Sequence, residues 1–276
     1  MERRGFLRTL AAASVASFLQ NSFSRSAQAQ VAEEPAALPP QQSRTGKFPA
    51  NSAIVLVHAA WADGSCWSNV IQPLERHNLQ VLCAPIPMTS LTDDAAALKW
   101  ALERTSGPVV LVGHAYSGAV IAAVSEDRVK SLVYISALAP DEGETVAKVF
   151  YLNPNSPEAP KMVPDPHGFV WLPAEAFHQA LAQRASAEQA TIAAAVQRPI
   201  RVRCIQEPAP APSWKTTPSW YLVAEEDRMI NPKSQRFMAN RMGAKVHAHP
   251  VDHTAMYADP QVVVDIILEA ARQTLS

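Results

Sequence analysis

Charge is scarce in this sequence. Charged residues make up 18% of the 276 positions, and the formal net charge is −1. So neutral a chain carries no electrostatic footprint for nucleic acid, and its composition is not that of a disordered acidic or basic tail. Cysteine is scarce too: Cys66, Cys83 and Cys204 are too few for a disulfide scaffold. Glycine numbers nine against 23 prolines, so proline must stiffen several loops. No run reaches the roughly 18 apolar residues of a membrane span, and no stable membrane insertion is expected. Neither GxGxxG nor a Walker A pattern occurs, so no nucleotide site and no cofactor are expected. Internal repeats are absent as well. Hydrophobic residues, at 48%, are plentiful enough to bury a sizeable core. What remains is a soluble globular enzyme or binding protein with a small molecule as its partner.

The first thirty residues read as an address. Arg3 and Arg4 precede Gly5-Phe6-Leu7, and an alanine-rich, mildly apolar stretch follows to Leu19. Ala27-Gln28-Ala29 then offers a small-x-small cleavage pattern. That order matches a twin-arginine signal over 1–29, and it predicts export to the periplasm or beyond. Such cargo is exported already folded, so no structural disulfide is expected, although the periplasm would permit one. Residues 30–50, with Pro35, Pro39 and Pro40, show no periodic apolar face and read as a linker.

From residue 51 onward the pattern is globular. Residues 53–57, 79–83, 108–112 and 129–137 are short apolar runs rich in β-branched residues, and each reads as a buried strand. Helical segments over 65–75, 90–105 and 116–126 separate them, with Ser90 or Thr92 capping the second. This alternation predicts a parallel sheet with helices on both faces. The rhythm breaks at 140–215, where helical stretches at 173–183 and 187–196 lie between proline-rich segments. We read this part as a helical lid inserted into the α/β domain. Strands at 219–224 and 245–249, each followed by a helix (232–242 and 260–274), close the chain.

Loops that follow strands carry the chemistry. The sharpest is Gly113-His114-Ala115-Tyr116-Ser117-Gly118, a strand, a tight small-residue turn and a helix, which is the layout of a nucleophile elbow. His58-Ala59-Ala60-Trp61 follows the first strand, Asp227 follows the strand at 219–224, and His253 follows the last strand. With these motifs in this order, residues 50–275 resemble the α/β-hydrolase fold, in particular its small esterases and hydroxynitrile lyases.

The resemblance implies roles. His253 would be the catalytic histidine and Asp227 the acid that orients it, with Glu225, Glu226 and Asp252 as competitors for that place. The amides of Ala60 and Tyr116 would form an oxyanion hole, with Ala59 standing where the family has glycine. Ala115 occupies the nucleophile position, where relatives carry serine. Alanine has no oxygen and forms no acyl-enzyme. Ser117 is the alternative nucleophile, on condition that the strand runs two residues further; otherwise it lies in the first helical turn and bonds local backbone. Trp61, Trp67 and Trp171 are candidates for substrate binding, though Trp61 and Trp67 suit core packing equally. Phe150, Tyr151, Phe169 and Phe177 add aromatic surface to the lid. His247, His249 and His253 lack an acidic or cysteine partner at metal-site spacing, so no metal is expected. His114 is expected to pack beneath the elbow.

Three functions fit these residues. The first is an esterase- or lactonase-like hydrolase for a small apolar substrate, using Ser117 or a water activated by His253. The second is a nucleophile-free general-base enzyme, meaning a lyase, isomerase or cofactor-free oxygenase. The third is a non-catalytic protein that binds a ligand in the same pocket.

Overall fold

The computed structural model describes residues 48–275, so the expected signal segment over 1–29 and most of the expected linker over 30–50 lie outside the described residues. The strands are β1 (Ala53–Val57), β2 (Gln80–Ala84), β3 (Val109–His114), β4 (Val129–Ile135), β5 (Phe169–Val170), β6 (Ile200–Arg201), β7 (Ser219–Ala224) and β8 (Lys245–His249). Six of them form one sheet in the order β2-β1-β3-β4-β7-β8, with every neighbouring pair parallel. β5 and β6 pair with each other, antiparallel and apart from that sheet.

Strand alternation builds two cores. Along β1, Ala53, Val55 and Val57 enter one apolar cluster, while Ile54 and Leu56 enter the other. Helices α1 (Ser68–Glu75) and Pro260–Thr274 cover the second cluster through Val70, Leu74, Val263 and Ile267. Helices α2 (Leu91–Leu102) and α3 (Ser117–Ala122) cover the first through Leu91, Leu98, Ala119 and Val120. Burial on both faces explains why these strands are continuous apolar runs rather than alternating ones. Ser90 caps α2 by accepting the Asp93 N–H, and Thr92 instead bonds Glu207.

Segment 140–215 departs from the expected pair of helices. Ala187–Val196 is a helix, opened by a capping box between Ser186 and Gln189. The expected helix at 173–183 is a short turn, Ala174–Ala176, running into a π-helix over Phe177–Leu181. Strands β5 and β6 were not expected, because two residues leave no periodicity to read. The three cysteines are unpaired.

The middle of the sheet gives a direct stability test. Val133 on β4 is fully buried and sits between Val112 and Trp220. Val133→Asp buries a charge with no partner, at a cost of several kcal/mol against a typical total of about 5–15. We expect insoluble protein or loss of the cooperative thermal transition by circular dichroism; an unchanged melting temperature would contradict the strand placement.

Candidate active site

The carboxyl ends of β1, β3, β7 and β8 converge on one place, as parallel α/β sheets generally arrange their ligand sites. β3 runs on to His114, and the chain then turns sharply at Ala115, whose φ is +49°. A left-handed alanine is strained, by about 1–3 kcal/mol for residues in such sparsely populated regions. Close packing leaves the turn no alternative. A Cβ on Gly113 would lie 2.6 Å from the Ser117 carbonyl oxygen, and one on Gly118 2.5 Å from that of Leu138. The Ala115 carbonyl accepts the N–H groups of Gly118 (3.1 Å) and Leu138 (2.8 Å), which pins the tip. Ala115 is therefore the tip residue, and Ser117 begins α3.

Ser117 is fully buried, and its hydroxyl donates to the His58 carbonyl. It is absent from the cavity wall. This corrects its placement as the alternative nucleophile: the strand does not run far enough to bring it to the tip. Its hydroxyl ties the elbow helix to the turn after β1. In that turn the left-handed residue is Trp61 (φ +58°), so Ala59 carries no such strain in place of a glycine.

His253 and Asp227 meet. The Nδ1 of His253 lies 2.7 Å from Oδ2 of Asp227, with both side chains buried. Asp227 is held by further donors. Its Oδ1 accepts the N–H groups of Met229 (2.7 Å) and Ile230 (2.9 Å), and its Oδ2 accepts Nε2 of Gln235 at 2.7 Å. Because the carboxylate only accepts, Nδ1 of His253 donates in this bond, and in the neutral imidazole that tautomer leaves the lone pair on Nε2. His114 lies beneath, its Nε2–H donating to the His253 carbonyl at 2.8 Å and its ring 4.8 Å from that of His253. Burial lowers the His114 pKa well below the usual histidine value, so this ring stays neutral.

The competing acids are engaged elsewhere. Glu225 pairs with Arg236, and Glu226 with Arg184. Asp252 is buried and accepts the Arg184 N–H at 2.8 Å and the Thr254 N–H at 3.0 Å. Burial raises its pKa from the usual carboxylate value, against the pull of those donors. Arg228 donates to the Gln179 carbonyl rather than pairing with Asp227.

A cavity of about 590 Å³, its mouth included, opens over Ala115 and His253. Ala60 and Tyr116 also line it, and neither backbone N–H donates to any acceptor among the described residues. The rest of the wall is apolar, with Phe150, Met162, Val170, Ile200 and Ile205 supplied by segment 140–215. Trp61 lines it too, but its Nε1–H is taken by the Val170 carbonyl at 2.9 Å.

Two tryptophans are corrected. Trp67 is fully buried under the sheet ends, edge-on to His114, and does not reach the cavity. Trp171 is half exposed, and its indole points to Asp165 at 3.3 Å. Val170 before it faces inward, and alternation along an extended chain turns the next side chain outward. Of the lid aromatics, Phe150 and Tyr151 line the cavity, whereas Phe169 and Phe177 do not. His247 pairs with Glu269 at 2.9 Å, and among the described residues no group of three metal-ligating side chains is assembled. Sequence reasoning missed Gln235, which orients Asp227 from helix Pro232–Arg241; a lone glutamine there carries no signal. It also missed Asp94, which accepts the Tyr116 hydroxyl at 2.7 Å.

Comparisons with known proteins agree with this architecture. The chain is 25% identical over 248 residues to the alpha/beta hydrolase nvfD of Aspergillus novofumigatus, covering 81% of this chain and 98% of that one. It is 24% identical over 245 residues to methylesterase 8 of Arabidopsis thaliana, covering 79% and 88%. The crystal structure of polyneuridine aldehyde esterase superposes with a TM-score of 0.69 at 18% identity, covering 80% of this chain and 99% of that one, which is a likeness of fold. The wholly parallel sheet and its flanking helices thus find their counterpart in the Alpha/beta hydrolase family, whose model matches residues 54–266, and the chain belongs to that family.

Proposed function

We propose that this protein is an esterase-like hydrolase that works without an acyl-enzyme, on a small, uncharged, apolar ester or lactone. One observation carries the reading: a histidine base, oriented by a buried carboxylate, shares a cavity with two unbonded amides and an alanine tip. Nε2 of His253 takes a proton from water as the water oxygen attacks the carbonyl carbon. The resulting oxyanion lies at the amides of Ala60 and Tyr116. As the tetrahedral species collapses, His253 returns the proton to the departing alkoxide, so the products are an acid and an alcohol. The wall offers no cation to hold a substrate carboxylate, hence the preference for uncharged groups.

A second reading has its own support. Apart from His253 and the amides, the cavity has few polar groups to hold a water, so the base can also meet a C–H beside a substrate carbonyl. Proton abstraction there would give an enolate at the same amides, which is isomerase or lyase chemistry.

One experiment separates these readings. A panel of short-chain esters, lactones and ketones is incubated with the protein in ¹⁸O-labelled water and, in parallel, in deuterium oxide. Hydrolysis gives acid carrying ¹⁸O with no initial burst of alcohol. A burst equal to the enzyme concentration would sink the mechanism. Deuterium uptake at the α-carbon without hydrolysis would favour the second reading, and saturable binding without turnover would leave a ligand-binding protein.

A further inference from the structure

The mechanism gives no task to the buried carboxylate of Asp94. Asp94, in the first turn of α2, is fully buried, and no lysine or arginine pairs with it among the described residues. Burying an ionised carboxylate without a cation is costly unless donors replace the lost water. Here donors from separate segments converge on it. Its Oδ1 accepts the Met88 N–H at 2.7 Å, and its Oδ2 accepts the Tyr116 O–H at 2.7 Å. The Cys204 thiol, from helix Val202–Gln206 of the inserted segment, lies 3.7 Å from that same Oδ2. Met88 is itself left-handed (φ +61°), and its carbonyl accepts the Arg201 N–H at 3.0 Å. One carboxylate therefore joins α2, the loop before it, the elbow and the root of the inserted segment. Tyr116 lines the cavity, but its hydroxyl is taken up by Asp94 in this cluster, so the hydroxyl is no acid or base for the reaction.

We propose that Asp94 is a positioning residue that fixes Tyr116, and through it the backbone N–H that completes the oxyanion site, while seating the inserted segment against the elbow. This rests on the reading above, in which the Tyr116 amide receives the oxyanion. Holding Tyr116 by its far end removes freedom from a residue whose amide must stay unbonded and aimed into the cavity, and such preorganisation is what oxyanion stabilisation requires.

The test uses Tyr116→Phe and Asp94→Asn, each made in the natural chain and in an Ala115→Ser background. In that background a fluorophosphonate probe places its P=O oxygen at the same amides, so labelling separates into KI for cavity binding and kinact for the chemical step. We expect KI to hold within about twofold while kinact falls by about tenfold or more, the scale of a small misplacement of catalytic groups. In the natural chain, hydrogen exchange at the Tyr116 amide, read by NMR, should speed up by a similar factor. Tyr116→Phe keeps the ring and guards against a folding failure of Asp94→Asn. Unchanged Tyr116 exchange overturns the proposal, as does a rise in KI with kinact intact, which would make Asp94 a wall support only. If Ala115→Ser never labels, the hydrolase reading fails, and the exchange measurement alone still decides for or against the clamp.

Discussion

Ala115→Ser is expected to turn this protein into a serine esterase. Intact mass should show one fluorophosphonate adduct at residue 115, while the natural chain stays unlabelled because Ser117, two residues beyond the tip, is buried and bonded to the His58 carbonyl. Ester turnover should rise by about 10²- to 10³-fold, since enzymes that lose this one group retain only a residue of their rate from the oxyanion site and binding. The rationale is that everything the serine needs surrounds the alanine. The tip has the left-handed backbone, His253 and the two unbonded amides share its cavity, and Asp227 holds the imidazole in the tautomer that accepts a proton. The change adds a single oxygen to a residue whose backbone is pinned by Gly118 and Leu138, so refolding of the turn is not required. Labelling of the natural chain at Ser117 would refute the assignment of the tip. No labelling of either chain would mean that the histidine and the amides do not act together.

His253→Ala is expected to remove turnover on whichever substrate the panel identifies, by about 10²- to 10⁴-fold, the usual scale for a general base. Asp227→Asn should fall nearly as far. Its two backbone donors would still hold the remaining oxygen, but an amide nitrogen toward Nδ1 would favour the wrong tautomer and could not accept the Gln235 N–H. Gln235→Ala should cost less, since it removes one donor from a carboxylate that keeps His253 and both backbone donors. The order of the three effects, measured as initial rates with folding checked by circular dichroism, tests the chain of hydrogen bonds from helix Pro232–Arg241 to the cavity. Full activity in His253→Ala would place the chemistry elsewhere.

The strands were legible because burial on both sheet faces writes them as runs such as Ala53-Ile-Val-Leu-Val57, bounded by polar or turn residues. The positions of Asp227 and His253 were legible through order along the chain. What was not legible concerns direction. Trp61 and Trp67 are six residues apart, yet one faces the cavity and the other the core, since Trp61 is itself left-handed and Trp67 ends a 3₁₀ turn. Composition cannot show such a reversal. Asp94 reads as an ordinary acidic residue in a first helical turn, where carboxylates are common. Only the fold shows that its side chain turns inward to a tyrosine 22 positions away. The inserted segment was the least legible part, because its π-helix and two-residue strands are set by tertiary packing rather than by local pattern.

The bond from Arg184 to Asp252 has a mechanical meaning. Arg184 belongs to the inserted segment, and Asp252 immediately precedes the histidine. Any outward swing of the segment at that point breaks this bond and slackens the loop that aims the imidazole. The inserted segment and the loop that carries the base are therefore moored to one another at this point, like a mast and its stay.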